Sequence, residues 1–246
     1  MAQIYVGCSG FNYFGWRSRF YPPDLPQRKW LEYYSRVFKT VELNVTFYRL
    51  PTPSTFKRWY KETPQDFSFV LKGSRLITHL KRLSEVEEPL KQFFERAFHL
   101  EEKLRATLWQ FPPSFQLDLN KLERFLSVLS TYRVRAAFEF RHNSWVREEV
   151  SGLLAKYNFT MCMADWPSFL DELPVKSDYV YIRRHGHQGN YSTCYTHEEI
   201  RSDAQRIKNY VSQDKDVFIY FNNDAYAYAV QNAKELIEIL KEYNLI

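Results

Sequence analysis

Residues 135–145 read R-A-A-F-E-F-R-H-N-S-W, and this stretch limits the folds open to the chain. Side chains alternate along a strand, so Ala137, Glu139 and Arg141 share one face while Phe138 and Phe140 share the other. Asn143-Ser144 then reads as a helix start with Trp145 in its first turn. A strand that turns two Phe outward and aims Glu and Arg inward fits poorly in a sandwich. It fits a barrel of parallel strands, where helices cover the outside and the strand ends build a site.

Working outward, seven further strand candidates alternate with helix candidates. They lie at residues 3–8, 40–44, 66–72, 105–110, 159–164, 178–183 and 216–221. Trp30, Leu31, Tyr34, Val37 and Phe38 recur at helical spacing, as do Leu122, Phe125, Leu126 and Leu129. Thr52-Pro53 predicts an N-cap followed by an N1 proline. Ser84 with Glu87, and Thr196 with Glu199, predict capping boxes. A weak helix candidate after the sixth strand is interrupted by Pro167 and Pro174. Repeated β-then-α order implies parallel strands with right-handed crossovers, and eight of them close a (β/α)₈ TIM-type barrel. No linker interrupts residues 1–246, which read as a single domain. An open doubly wound sheet would need a dinucleotide turn, but the first turn reads G-C-S-G-F-N without G-x-G-x-x-G spacing. No cofactor is expected.

Composition agrees with one barrel of 246 residues, 45% of them hydrophobic, enough for a large core. Aromatics are abundant, with 20 Phe, 18 Tyr and 6 Trp, so some rings are expected beside a cleft and most in the helix–barrel interface. A net charge of +5 favours anionic partners but is too mild to diagnose nucleic-acid binding. The three cysteines (Cys8, Cys162 and Cys194) form no C-x-x-C pair, which suits a reducing cytoplasm. A strand begins by Gln3, and no apolar run approaches the ~18 residues of a membrane span. The expectation is a cytoplasmic protein with no membrane partner; no oligomeric state is assigned.

At the C-terminal strand ends, inward parity collects polar side chains. The second strand contributes Glu42 and Asn44, the third Lys72, the fourth Gln110 and the fifth Glu139 and Arg141. Asp165 follows from the sixth, Arg183 and His185 from the seventh, and Asn222, Asn223 and Asp224 from the eighth. Glu139 and Arg141 lie about 6.6–7 Å apart along one face. They suit either an ion pair closing the barrel or a general acid/base tuned by its neighbour and by desolvation. Glu42 and Asp165 are further candidates, and two carboxylates flanking a bond would suit glycoside hydrolysis. His185, His187, His79, Glu139 and Asp165 could supply metal ligands. However, a dication ~7 Å from Arg141 meets about 4–5 kcal/mol of repulsion at an effective dielectric near 20. No H-x-x-x-H or H-E-x-x-H spacing appears, so no metal is expected and an anion is the preferred guest.

Residues 183–189, with Gly186 and Gly189, occupy the region where barrels often bind phosphate. Lys81, Arg82, Arg17 and Arg19 are interleaved with Trp16, Phe20, Tyr21, Phe47 and Tyr48. They read as a stacking groove, or as solvated charges over a hydrophobic plug. Ser9 and Cys8 lack an adjacent His, and neither is taken as a nucleophile.

Seven ordered motifs carry a family resemblance over nearly the whole chain. They are G-C-S-G-F-N-Y, V-E-L-N-V-T-F-Y-R-L-P, I-T-H-L-K-R-L, W-Q-F-P-P-S-F, F-E-F-R-H-N-S-W, the Arg183/His185-Gly186 turn and Y-F-N-N-D. Together they resemble the YecE-like family, domain of unknown function seventy-two. The resemblance implies a TIM-type barrel and names no reaction. It implies site positions at Glu42, Asn44, Tyr48, His79, Lys81, Gln110, Glu139, Arg141, His142, Trp145, Asp165, Arg183, His185, Asn222, Asn223 and Asp224. Phe11 stands where the family usually has Trp, and Cys8 where Thr is common.

Three functional classes follow. In the first, an enzyme acts on a small anionic, phosphate-containing or polyhydroxylated ligand without an obligatory metal. Glu139 is its acid/base and Glu42 or Asp165 the partner; Arg141, Arg183, Lys72 and His185 clamp the anion, and Asn44, Gln110 and Asn222 bond hydroxyls. The second is a nucleic-acid-binding or repair-associated barrel using Arg17, Arg19, Lys81 and Arg82, whose affinity must fall steeply with salt. The third is a non-catalytic scaffold with a plugged mouth.

Overall fold

Each alternating stretch becomes a strand. A computed structural model describes residues 2–166 and 175–246. Its strands are β1 (Ile4–Ser9), β2 (Thr40–Leu43), β3 (Ser68–Lys72), β4 (Leu104–Gln110), β5 (Arg135–Glu139), β6 (Thr160–Ala164), β7 (Tyr179–Arg184) and β8 (Asp216–Phe221). They close a parallel barrel in chain order, with helices between strands, as the β-then-α pattern requires. The helices are α1 (Trp30–Val37), α2 (Val45–Tyr48), α3 (Pro53–Glu62), α4 (Glu87–Ala97), α5 (Leu119–Ser130), α6 (Glu148–Lys156), α7 (His197–Val211) and α8 (Tyr228–Glu242). No helix among the described residues is long and apolar enough to cross a membrane. The weak helix candidate around Pro167 and Pro174 lies outside the described residues.

Pairing runs out where donors run out. β5 ends at Glu139, two residues before Arg141, because its neighbour β4 meets Pro112-Pro113, which has no N–H to give. The last bond is Phe111 N–H to Glu139 O, 2.9 Å. Thr52 caps α3 ahead of Pro53, and Thr196 with Glu199 forms a full capping box on α7. The box expected at Ser84 and Glu87 is absent. α4 starts at Glu87 behind Val86, because Arg82, Leu83 and Glu85 take left-handed φ values of 46°, 67° and 48° and carry Ser84 away from the helix end.

Contacts divide the chain into two compact units. The first comprises Met1–Glu42, Met163–Leu170 and Asp178–Ile246, and the second Leu43–Cys162 and Asp171–Ser177. In the first, β1 lies between β2 and β8, with Ser9 opposite Glu42 and Val6 opposite Ile219. The loop after β1 folds into a plug. Trp16 and Tyr21 are buried, Tyr21 stacks on Trp30 at 4.6 Å, and the Trp16 indole N–H donates to Asp224 O at 2.8 Å. In the second, β3, β4, β5 and β6 pair in order. Phe138 meets Phe125 of α5, as outward parity requires. Phe111, Phe140 and Trp145 stack face to face, Phe140 on Trp145 at 4.5 Å. Each such pair adds roughly 0.5–1.5 kcal/mol to its area burial. Most aromatics are thus core, as the abundance of rings in a helix–barrel interface led one to expect.

Candidate functional site

In the first unit, Glu42 is fully buried on β2, and four donors converge on it. Arg183 of β7 grips it as a fork, Nη2 to Oε1 at 2.7 Å and Nε to Oε2 at 3.1 Å. The Tyr181 hydroxyl donates to Oε2 at 2.5 Å, and the Ser9 hydroxyl donates to Oε1. Arg183 also reaches Ser9 Oγ at 2.8 Å. Tyr181, Arg183 and His185 share one strand parity, so a single face of β7 delivers both donors. His185 sits 3.4 Å from Arg183 Nη1 through Nε2 and 3.0 Å from the Asn222 amide through Nδ1.

Asp165 has a different task. Its Oδ1 accepts the His185 backbone N–H at 2.8 Å, and its Oδ2 accepts the Tyr195 hydroxyl and lies 3.6 Å from Arg184. Gly186 N–H goes to the Tyr195 hydroxyl (2.5 Å) and His187 N–H to Thr193 Oγ1 (2.7 Å). In this loop, which the sequence offered as a phosphate site or a plain turn, the amides of His185, Gly186 and His187 are engaged by Asp165, Tyr195 and Thr193. Arg184 faces Asp203 at 3.0 Å, and burial pushes the Asp203 carboxyl up despite Arg184 and Arg206. Asn223 is buried between Thr193 O and Asn232, and burial likewise raises the Asp224 carboxyl.

The second unit holds the other pair. Glu139 is buried at the end of β5, and Arg141 meets its Oε1 with Nε at 2.6 Å and with a terminal nitrogen. Gln110 of β4 is its register partner. At the end of β3, the Lys72 ammonium lies over the Phe47 ring, 4.4 Å from its centroid. The same ring meets His79 edge-on at 5.0 Å. His79 sits in a π-helical turn, Leu76–Leu80, closed by Lys81 N–H to Leu76 O at 2.8 Å. Such turns recur at functional sites. The Thr78 hydroxyl donates to Ser74 O at 3.3 Å and accepts from His79 Nδ1 at 2.8 Å, which leaves Nε2 as the basic nitrogen. Burial holds His79 down at about 4, assisted by Lys72, Arg75, Arg141 and Arg82. The imidazole is neutral at pH 7, and its surroundings are electropositive.

His142 caps the turn before Trp145, accepting Ser144 N–H at 3.1 Å, and Trp145 donates to Phe115 O at 2.6 Å; both serve the aromatic stack. Asn44 precedes α2 without capping it, while Tyr48 is 77% exposed. The basic residues read as a groove each have a local partner. Arg17 donates to Pro23 O, Arg19 lies over Tyr226, Lys81 pairs with Glu85, and Arg82 reaches Ser114. Of the rings interleaved with these charges, Trp16, Phe20, Tyr21 and Phe47 are buried and Tyr48 is exposed. Among the described residues, no three His, Cys, Asp or Glu side chains are grouped as a metal set would be. Sequence reasoning missed Tyr181, Asp203 and Arg75. Parity with Arg183 could have found Tyr181; Asp203, on a helix, sends no strand-end signal.

Comparison with known proteins adds the family. UPF0759 protein YunF of Bacillus subtilis (strain 168) is 26% identical over 271 residues, covering 97% of this chain and 95% of YunF. UPF0759 protein YecE of Escherichia coli (strain K12) is 34% identical over 100 residues, 40% of this chain and 37% of YecE. The crystal structure of a DUF72 family protein from Thermotoga maritima MSB8 is similar at a TM-score of 0.85 and 30% identity, covering 97% of this chain and 99% of that one. The profile of the family described as "Protein of unknown function DUF72" matches residues 5–245, and the chain belongs to that family.

Proposed function

We propose that this chain is an acid/base enzyme acting, without an obligatory metal, on a small anionic, phosphorylated or polyhydroxylated substrate at the strand ends of the second unit. The observation that supports this reading is the neutral His79 flanked by Lys72, Arg75, Arg82 and an Arg141 that also grips a buried Glu139. A dication would be repelled by these groups, whereas an anion gains from each.

Glu139 takes a proton from the substrate and returns it to the rearranged or departing atom. Arg141, whose guanidinium only donates, holds the carboxylate by Oε1. Lys72 and Arg141 clamp the anionic group, while Gln110 and His79 Nε2 bond hydroxyls. Glu42 and Asp165 are engaged within the first unit and take no step in this reading.

The test uses chelator-treated protein. Inorganic phosphate should raise its melting temperature in a saturable manner, as a ligand of the native state does. Turnover is then sought on phosphorylated small molecules with wild type and Glu139→Gln. Loss of turnover with melting temperature retained supports the reading. A collapsed melting temperature assigns Glu139 to structure, and activity that depends on added metal overturns the metal-independent mechanism.

A further inference from the structure

Around the cations of the second unit, two short turns expose apolar side chains that the acid/base reading does not use. Val45 (45% exposed) and Tyr48 (77%) project from α2, and Leu76 (42%) and Leu80 (67%) from the π-helical turn. Residues three or four apart share a helix face, so each turn presents a pair. Phe47 joins them: its buried ring meets Tyr48 at 4.9 Å, His79 at 5.0 Å and the Lys72 ammonium at 4.4 Å. Apolar and cationic surfaces therefore share one ring as their boundary. The segment after the turn has three left-handed non-glycine residues, Arg82, Leu83 and Glu85, a conformation that costs about 1 kcal/mol or more per residue.

Two simple occupants fit badly. A polyol would leave four large apolar side chains facing water. A wholly apolar partner would strip water from Lys72, Arg75 and Arg82 without compensation. An anion that carries an apolar group satisfies both halves.

Resting on the acid/base reading, we infer that the ligand of this site is an aryl or alkyl monoanion or dianion. Its phosphate or carboxylate lies toward Lys72 and Arg141, and its apolar group lies on Tyr48, Leu76 and Leu80. The apolar group sets specificity and the anion sets orientation.

The experiment titrates chelator-treated protein with inorganic phosphate, phenyl phosphate, benzoate and glucose, using calorimetry and the His79 ring resonances. Phenyl phosphate should bind at least about tenfold more tightly than inorganic phosphate, because a buried ring face adds apolar contact. Tyr48→Ala and Leu80→Ser, both at exposed positions, should erase that advantage and leave phosphate affinity unchanged. Benzoate binding in place of phenyl phosphate assigns the anion as carboxylate and keeps the inference. Equal affinity for phosphate and phenyl phosphate overturns it while the acid/base reading stands. Silence of both anions, with or without a glucose response, removes the anion site and the inference together. Concentration-dependent self-association that Leu80→Ser abolishes, without any ligand effect, assigns the surface to a second copy and also overturns it.

Discussion

The two units each bury an Arg–Glu pair, and the pairs are built differently. Arg183 reaches a glutamate 141 residues earlier in the chain, and its fork, with Tyr181 and Ser9, engages both oxygens of Glu42. Arg141 is two residues from Glu139 and meets its Oε1 with Nε at 2.6 Å and with a terminal nitrogen. Burying two charges costs several kcal/mol per ion before their attraction returns it. A long-range pair offsets that cost by tying β2 to β7. The local bond joins Glu139 to a residue just beyond the end of its own strand. Burial alone marks neither pair as functional; sequence separation and the geometry of the grip distinguish them.

The largest expected effect tests the first pair. In Glu42→Gln, the new amide NH₂ must face a donor on whichever oxygen it replaces. We expect a loss of roughly 3–5 kcal/mol in urea unfolding, as for other broken buried pairs. At about 2–4 °C per kcal/mol for a chain this size, the melting temperature falls by roughly 6–20 °C. Glu139→Gln should behave in the opposite way. Its amide oxygen can keep both Arg141 contacts at the Oε1 position, and we expect a stability cost smaller than that of Glu42→Gln, while turnover on any identified substrate drops about 10²–10⁴-fold. Equal losses of stability in the two variants would erase the distinction.

Tyr181→Phe removes one of the donors to Glu42 and should cost about 1.5–3 kcal/mol, the usual range for a hydrogen bond to a charged group. The smallest effect belongs to His79. Its ring resonances should titrate with a midpoint at about 4 rather than near the ordinary 6.5. Since the unfolded chain takes up that proton first, the stability from neutral His79 is complete above pH ~6.5 and declines as pH falls toward 4. His79→Gln should flatten that window in urea melts at pH 4.5 and 7. An unchanged profile would mean that burial and the neighbouring cations do not hold the ring neutral.

The barrel was legible because period-two apolar stretches alternate with helix-period ones, and because Thr52-Pro53 and Thr196–Glu199 cap as their chemistry dictates. The Ser84–Glu87 box was not, because left-handed residues around it override a four-residue rule. Inward parity found Glu42, Glu139, Arg141 and Arg183. It could not say that Arg183 belongs to Glu42, since partners in a closed sheet are set by register rather than by spacing. Nor could it foresee that Asp165 and Tyr195 would engage the amides after β7, or that Arg75 would act on His79; those depend on loop conformation.

The separation between Glu42 and Arg183 also has a consequence during biosynthesis. At roughly 5–20 residues per second, Glu42 leaves the ribosome on the order of ten seconds before its guanidinium partner exists. Through that interval the carboxylate stays hydrated, and residues 43–162 are synthesised in full. Its dehydration awaits the arrival of β7, so nascent chains truncated before Tyr181 lack both the hydroxyl and the guanidinium that receive it.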